Sequence, residues 1–492
     1  GNRMKSLRKM ATTIALIMMM CTIFTACESK DRETSNVTKK SVKISIDEWI
    51  GWQSLLDANG GLVTAENSIN AKNGINVEYV VMNDASTSSA ALISGELNGA
   101  GYTVNRYAFL QQKFDEANVS VIMPYITNYS NGGDGIISKS DIVNVSDLVG
   151  KKVAVPRFSE AQTLVEWLLN NSSLTEEEKE EIRSDMVYFD TADETAKAFF
   201  GGSVDAAATW EPYLTQAASS TDSRILFDTS MSSNLILDGI VFREDFAKDN
   251  EGFIVKLIDG ALEASSMYKK EFNNIKQLPM FELMEDDEII DMANGADLAT
   301  CSQNETLLTD TAIAMYRDMA DVWLTLGETA YPDKAESAFT DKYIKTLLEK
   351  YPDDGESVKS FNDDEKGLLI ESPVALLNYQ ADIQFELNSV NIKEKSYSEL
   401  DDFVEIAKIL DGVYIQIEGN ASLRSDGITD EQINSFSEKR ANSVAEYFIS
   451  KGIDPERIII VGRGDSNPID KENLASAENR RTEFFFKTKL GY

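Results

Sequence analysis

Leu148-Val149-Gly150-Lys151-Lys152-Val153-Ala154-Val155-Pro156 runs directly into Arg157-Phe158-Ser159-Glu160-Ala161-Gln162. The apolar stretch Lys152–Val155 is short enough for a buried strand, and the proline stops it. Ser159 then stands before the amphipathic run Ala161–Asn170, where a hydroxyl can cap a helix N-terminus. A strand feeding a helix is half of a βαβ unit, which implies a parallel sheet covered by helices.

The same alternation spreads outward on both sides. Strands are expected at Val42–Ile46, Ile75–Met82, Val119–Tyr125, Gly135–Ser138, Met186–Phe189, Asp205–Thr209, Arg224–Phe227 and Leu235–Phe242. Helical runs are expected at Ser86–Leu97 and Thr191–Phe200, and from about Arg243 the chain turns helical through Lys350. The sequence thus predicts an α/β domain over residues 41–350 with mainly parallel sheets. Asn131-Gly132-Gly133 and Thr229–Asn234 bracket a middle block, so they are the expected crossings between two lobes. In such folds ligands sit where strand C-termini meet helix N-termini.

Residues 351–379 hold turn-prone, charged clusters and read as a linker, with Lys366–Leu377 able to form a short docking segment. Asp353-Asp354-Gly355 lacks the spacing of a calcium loop. Residues 380–492 alternate strands with helices at Ser398–Leu410 and Asp430–Lys451, a compact α+β module.

Composition excludes several chemistries. The 492 residues carry 82 acidic and 47 basic side chains, a net charge of −35 that repels phosphate backbones, so nucleic acid is not an expected partner. There is no histidine, which removes Ser/His and Cys/His nucleophile pairs and His-ligated metals. The three cysteines, Cys21, Cys27 and Cys301, make no C-x-x-C pair. No catalytic residue, metal or cofactor is expected.

At the start, Arg3, Lys5, Arg8 and Lys9 precede the uncharged run Ala11–Ala26, the order of a secretory signal peptide. That run has 16 residues, fewer than the about 20 a membrane span needs. It ends Phe24-Thr25-Ala26-Cys27, which resembles the lipobox of bacterial lipoprotein precursors. The resemblance implies a signal peptide over 1–26 and a lipidated Cys27. The polar stretch 27–40 reads as a flexible tether.

Trp49-Ile50-Gly51-Trp52, Ser94-Gly95-Glu96-Leu97, Leu148 to Pro156, Gly202-Ser203-Val204-Asp205-Ala206-Ala207 and Trp210-Glu211-Pro212-Tyr213 together resemble the nitrate/sulfonate/taurine class of ABC-transporter solute-binding proteins. The resemblance implies a two-lobed, type II periplasmic-binding-protein-like domain that closes on a small solute and presents it to a permease and its ATPase. On that reading Trp49, Ser86, Thr87, Asp134, Ser159, Gln162, Trp210, Glu211 and Asp238 are the candidate ligand-binding residues. Ser86 and Ser159 fit an anionic group at a helix N-terminus or simple capping, and both readings stand at this stage. Asp134, Glu211 and Asp238 either face the cleft, favouring an amine-bearing solute over an anion, or cap helices and pair with Arg157 and Arg243. A thiamine-pyrimidine enzyme of the same superfamily consumes its own histidine, and this chain has none.

Glu418-Gly419, the run Phe436 to Val444 with Arg440, Gly462-Arg463-Gly464 and Asn479-Arg480-Arg481 resemble the OmpA-like peptidoglycan-binding domain. There an aspartate meets the ammonium of diaminopimelate and an arginine its carboxylate. The arginine is retained as Arg440, but Ser422 stands where the family has aspartate; Asp426 is four residues further on. The implied wall-binding set is Ser422, Asp426, Arg440, Asn479 and Arg481.

The whole chain is therefore expected to be a lipid-anchored, extracytoplasmic solute receptor for an ABC importer, tethered to peptidoglycan. The location is the outer face of a bacterial cytoplasmic membrane or a periplasm. An envelope sensor or scaffold built on the same fold is the alternative.

Overall fold

The structure is a computed structural model that describes residues 40–352 and 359–489. Cys27, the signal-peptide segment and all but the last residue of the tether lie outside the described residues, as does Asp353-Asp354-Gly355.

Among the described residues the strands form three sheets. The first is built from β1 (Val42–Ile46), β2 (Val77–Val81), β3 (Gly99–Thr103), β4 (Val121–Ser130), β10 (Leu237–Arg243) and β11 (Ala296–Leu298), in the order β11-β4-β10-β3-β1-β2. The second holds β5 (Asp134–Lys139), β6 (Val153–Pro156), β7 (Met186–Phe189), β8 (Ala206–Trp210) and β9 (Ser223–Asp228), in the order β7-β6-β8-β5-β9. The chain passes from the first sheet to the second between β4 and β5 and returns between β9 and β10, at the two expected crossings.

Those crossings correct the expectation of mainly parallel sheets. β1 pairs parallel with β2 and β3, and β6 parallel with β7 and β8, but β10 runs antiparallel to β3 and β4, and β5 antiparallel to β8 and β9. The strand that enters each lobe from the other, β5 or β10, comes in from the end where the leaving strand, β4 or β9, exits, so it opposes the βαβ strands while the leaving strand runs with them. The crossings are tied together: Thr229 Oγ1 accepts from Gly132 N at 2.8 Å, and Thr229 N donates to Asp134 O at 2.9 Å.

β3 has no counterpart among the expected strands, because Gly99-Ala100-Gly101-Tyr102-Thr103 has weak strand propensity. The glycines serve close approach. A Cβ on Gly101 would lie 2.8 Å from the ring of Trp52, and one on Gly99 would lie 2.9 Å from Phe242.

The helix Glu160–Asn170 buries Leu164, Val165, Trp167, Leu168 and Leu169 against the second sheet. Each such side chain contributes about 1.5–3 kcal/mol of burial, which holds the helix and its first turn in place.

The third sheet contains β12 (Leu377–Ala381), β13 (Tyr414–Asn420), β14 (Ile458–Gly464) and β15 (Thr482–Lys487), in the order β12-β15-β13-β14. The helices Tyr397–Ile409 and Asp430–Ser450 bury Leu400, Phe403, Val404, Val444 and Phe448 on its inner side. β12 begins three residues before the expected boundary at 380. Residues 363–369 of the expected linker are helical, and Tyr414 Oη donates to Glu365 Oε2 at 2.6 Å, while Lys487 Nζ donates to Leu369 O at 2.6 Å. The stretch is docked because Leu369 has an apolar patch to bury, with Tyr414 and Ile459.

The C-terminal module contacts the second crossing directly. Ser232 Oγ donates to Ile409 O at 2.6 Å, Ser233 Oγ to Asp411 Oδ2 at 2.7 Å, and Gly412 N to Met231 O at 3.0 Å. Lys359 Nζ bridges Ser230 O at 2.6 Å and Asp411 Oδ1 at 2.9 Å.

Candidate functional site

The ends of the central strands and two helix N-termini meet between the lobes. Asp47 follows β1. Thr103 ends β3 and caps the helix Val104–Glu116, its Oγ1 accepting from Arg106 N at 3.0 Å, so Arg106 projects from the first turn. From the other lobe, Ser159 caps the helix Glu160–Asn170 and places Glu160 opposite Arg106. The two side chains form an ion pair, Arg106 Nη2 to Glu160 Oε2, at 3.0 Å.

The lobes are closed on each other around this pair. Asn105 Nδ2 donates to Thr163 Oγ1 at 2.8 Å, and the Phe109 and Phe158 rings stack with centroids 5.3 Å apart. A cavity of about 20 Å³ remains, lined by Asp47, Trp52, Ser88, Tyr102, Arg106 and Glu160 among others. That is space for about one water.

Three further carboxylates approach the pair. Asp47 Oδ1 accepts from Trp52 Nε1 at 2.6 Å, Asp134 Oδ2 accepts from Ser130 Oγ at 2.7 Å, and Asp238 is 4% exposed with Oδ2 lacking any partner. Burial raises the Asp47 carboxyl above the ordinary range against the Trp52 hydrogen bond and the Arg106 charge. Burial, then the Glu160 charge, pushes Asp134 up to about 7. Asp238 is raised well above its usual value, by burial first and then by Asp47, Asp134 and Glu160. Glu160 conversely raises the Arg106 guanidinium above its usual value, outweighing burial. Three carboxyls, Asp47, Glu160 and Asp238, thus share the Arg106 guanidinium, with Asp134 beside them, and the crowding raises Asp47, Asp134 and Asp238 toward their protonated forms.

Of the residues expected to bind ligand, Asp134 and Asp238 stand beside this cluster but outside the cavity lining, and neither pairs with Arg157 or Arg243. Arg243 pairs with Asp245 at 3.0 Å, and Arg157 lies 4.3 Å over the Tyr188 ring. Glu211 takes the capping alternative: its carboxylate accepts from Thr215 N at 3.1 Å and Thr215 Oγ1 at 2.9 Å. Ser159 is an N-cap, accepting from Gln162 N at 3.3 Å, while Gln162 Oε1 accepts from Phe158 N at 2.6 Å and so holds the turn. Trp210 Nε1 donates to Asp193 Oδ1 at 3.1 Å, and Trp49 Nε1 to Asn128 Oδ1 at 2.8 Å beside the first crossing.

Ser86 and Thr87 are exposed and lie outside the cavity lining. The helix Ala85–Ser94 is capped by Asp84, whose carboxylate takes Ser86 N at 3.0 Å and Thr87 Oγ1 at 2.7 Å. This turns Ser88 inward instead, 2.7 Å from the Tyr102 hydroxyl. Asp47, Arg106, Glu160, Ser88 and Tyr102 are the site residues the sequence reading did not select. Asp47 was accessible to it, as the acidic residue one position past a strand end.

A second concave surface, of about 940 Å³, opens at the end of the third sheet. It is lined by Ser422, Arg440 and Arg481 from the expected wall-binding set, together with Arg424 and Arg480. Asp426 is exposed and outside the lining, because its loop is pinned by Arg424, which pairs with Asp465 and Asp430. Asn479 is fully buried, and its Nδ2 donates to Asp470 O, Asn473 O and Leu474 O at 3.1–3.2 Å, so it holds the neighbouring loop. Arg481 Nε donates to Glu483 Oε1 at 2.6 Å.

Comparison with known proteins divides the chain in the same way. Residues 62–271 match the NMT1/THI5 like family and residues 384–482 the OmpA family. Outer membrane protein A of Bordetella avium is 38% identical over 108 residues, 21% of this chain and 54% of that protein. Outer membrane porin F of Pseudomonas aeruginosa is 29% identical over 112 residues, 22% of this chain and 31% of that protein. The chain spans about half or less of the length of these curated relatives. Among solved structures, the periplasmic aliphatic sulphonate binding protein SsuA from Escherichia coli aligns at 16% identity and a TM-score of 0.48, covering 61% of this chain and 97% of that one. The periplasmic nitrate-binding protein NrtA from Synechocystis aligns at 13% identity and a TM-score of 0.44, covering 63% and 88%. The chain joins an NMT1/THI5 like domain to a C-terminal OmpA domain.

Proposed function

We propose that the protein is a lipid-anchored solute receptor of the bacterial envelope that captures a small amine-bearing solute between its lobes for an ABC permease and its ATPase, while the OmpA domain tethers it to peptidoglycan. The observation that carries the ligand class is the balance of acidic and basic groups in the cleft: Asp47 and Glu160 line it with one cation, Arg106, and the buried carboxyls of Asp134 and Asp238 stand behind them. An ammonium group entering there gains carboxylate partners; a simple anion meets repulsion. No bond is made or broken. Binding replaces the Arg106–Glu160 contact with solute contacts and shifts the balance of open and closed lobes. Lipid on Cys27 would supply the membrane attachment.

The contact between the C-terminal module and the Ser230–Ser233 crossing favours a second reading, an envelope sensor in which lobe closure is passed to the wall-binding domain. A thermal-shift screen of the full chain against quaternary amines, small amino acids, taurine, alkylsulfonates and nitrate tests the first reading. Saturation at 100 times Kd stabilises by about 2.7 kcal/mol. Stabilisation by amine-bearing solutes recovered chemically unchanged supports a receptor; stabilisation by nitrate or a plain alkylsulfonate alone sinks the ligand assignment. A neighbouring permease and ATPase gene favours transport over sensing.

A further inference from the structure

The groove of the third sheet carries donors that the protein does not use. The Arg440 guanidinium packs over the rings of Phe385, at 4.8 Å, and Phe436, at 4.5 Å. Its Nε donates to Ser389 O at 3.1 Å, which fixes the plane of the group and leaves the terminal nitrogens without a carboxylate among the described residues. A flat guanidinium packed on two rings and fixed at Nε has its terminal edge left to grip a carboxylate through two bonds.

A second arginine shares the groove. Arg480 Nη1 donates to Ser422 Oγ at 3.3 Å. Burial, and then the charge of Arg480, lower the Arg440 guanidinium below its usual value, so the two cations are close enough to repel. An anion between them relieves that repulsion.

The floor adds two unspent polar groups. Asn420 is 7% exposed and neither Nδ2 nor Oδ1 has a partner; Arg481 is 8% exposed and its Nη1 has none. Buried polar groups are normally satisfied, so such orphans mark where a ligand completes the set. The acidic residues of the lining, Asp382 and Glu386, are exposed on the rim, and no carboxylate occupies the position of Ser422 where an ammonium would need one.

We propose that this groove binds a ligand end carrying two carboxylates, one on the edge of Arg440 and one on Arg480 with Ser422, and that it requires no ammonium. The proposal rests on the wall-tether reading above and narrows it: the protein holds the acidic end of a wall peptide by its carboxylates and leaves any amine outside.

Calorimetry on the full chain with three five- to seven-carbon probes tests it: meso-diaminopimelate, pimelate, which lacks the amines, and 1,5-diaminopentane, which lacks the carboxylates. Pimelate is expected to bind within about threefold of diaminopimelate, and 1,5-diaminopentane not to bind. Arg440→Ala is expected to weaken pimelate about tenfold or more, as loss of a charge-assisted contact does, while circular dichroism stays unchanged. Ser422→Asp, which supplies an ammonium partner, is expected to turn the preference toward diaminopimelate by about tenfold. Binding of diaminopimelate without pimelate overturns the proposal, as does a folded Arg440→Ala protein with full pimelate affinity. Co-sedimentation with purified peptidoglycan separates the two readings. If the chain sediments but pimelate neither binds nor competes, the dicarboxylate proposal fails and the tether stands. If pimelate binds and the chain does not sediment, the tether fails and the groove's selectivity stands. If neither binds, both fail.

Discussion

Arg106 of one lobe and Glu160 of the other hold each other across the closed cleft, Nη2 to Oε2 at 3.0 Å, with the carboxylates of Asp47, Asp134 and Asp238 around them. In this arrangement the protein supplies its own cation to a site that attracts cations. A solute ammonium would compete with Arg106 for the same carboxylates.

Arg106→Ala removes that competitor. The unliganded lobes are expected to open, seen as a larger radius of gyration in solution scattering, and affinity for an amine-bearing solute to rise by about tenfold, the worth of one charge-assisted hydrogen bond. A fall in affinity would mean that Arg106 itself holds the solute.

Asp238→Asn keeps the shape and removes a buried carboxyl whose Oδ2 has no partner and whose ionised form is opposed by burial and by Asp47, Asp134 and Glu160. The unliganded protein is expected to melt at the same or a higher temperature near neutral pH, because folding no longer has to keep this carboxyl un-ionised against its ordinary tendency to lose the proton. Amine affinity is expected to drop by about tenfold or more, read by calorimetry. Lower stability together with unchanged affinity would remove Asp238 from the site.

The carboxylates of the cleft also set a pH dependence. Burial pushes Asp134 up to about 7 in the folded protein from the ordinary carboxyl value of 3.8, so between those values the native state keeps a proton there that the unfolded chain has lost. The stability this contributes is full at low pH and is lost as pH rises from about 4 through 7. A cationic solute favours the ionised form, so its affinity is expected to increase as pH rises through about 7, with proton release on binding. Calorimetry at pH 5.5 and 8 in two buffers of different ionisation enthalpy reads both; an affinity that falls toward pH 8 contradicts the assignment.

Gly412 sits where the C-terminal module meets the second crossing, and a Cβ there would lie 2.0 Å from Ser230 O. Gly412→Ala is expected to push the module off the crossing, since the neighbouring atom is backbone and cannot swing away. Hydrogen exchange at residues 229–234 is expected to accelerate by about tenfold, which is about 1.4 kcal/mol of lost protection. Unchanged exchange would show that the crossing is held by its own lobe alone.

Much of this architecture is written in periodicity. The strands Val42–Ile46 and Met186–Phe189 coincide with their expected spans, because apolar runs of that length have few other ways to be buried. The glycine-rich β3 was invisible to the same reasoning, since its strand character comes from Trp52 and Phe242 pressing on Gly101 and Gly99. That omission concealed Arg106, which is placed by the end of β3. Asp134 and Asp238 were legible as acidic residues beside the crossings. Ser86 and Thr87 lie outside the cavity lining because Asp84, one position before the helix Ala85–Ser94, takes the cap and Ser88 turns into the site. Strand ends can be read from sequence to within two residues except in β4, which runs five residues past its expected end, but which side of a helix start faces a cleft depends on which oxygen caps it.

The most direct measurement is calorimetric titration of the full chain with an alkylammonium, the alkylsulfonate of equal length, and taurine, which carries both groups. Saturable binding of the ammonium-bearing solutes, tighter in Arg106→Ala and weaker in Asp238→Asn, is the expected result. Binding of the alkylsulfonate without any ammonium, lost in Arg106→Ala, would contradict the account and make the cleft an anion site.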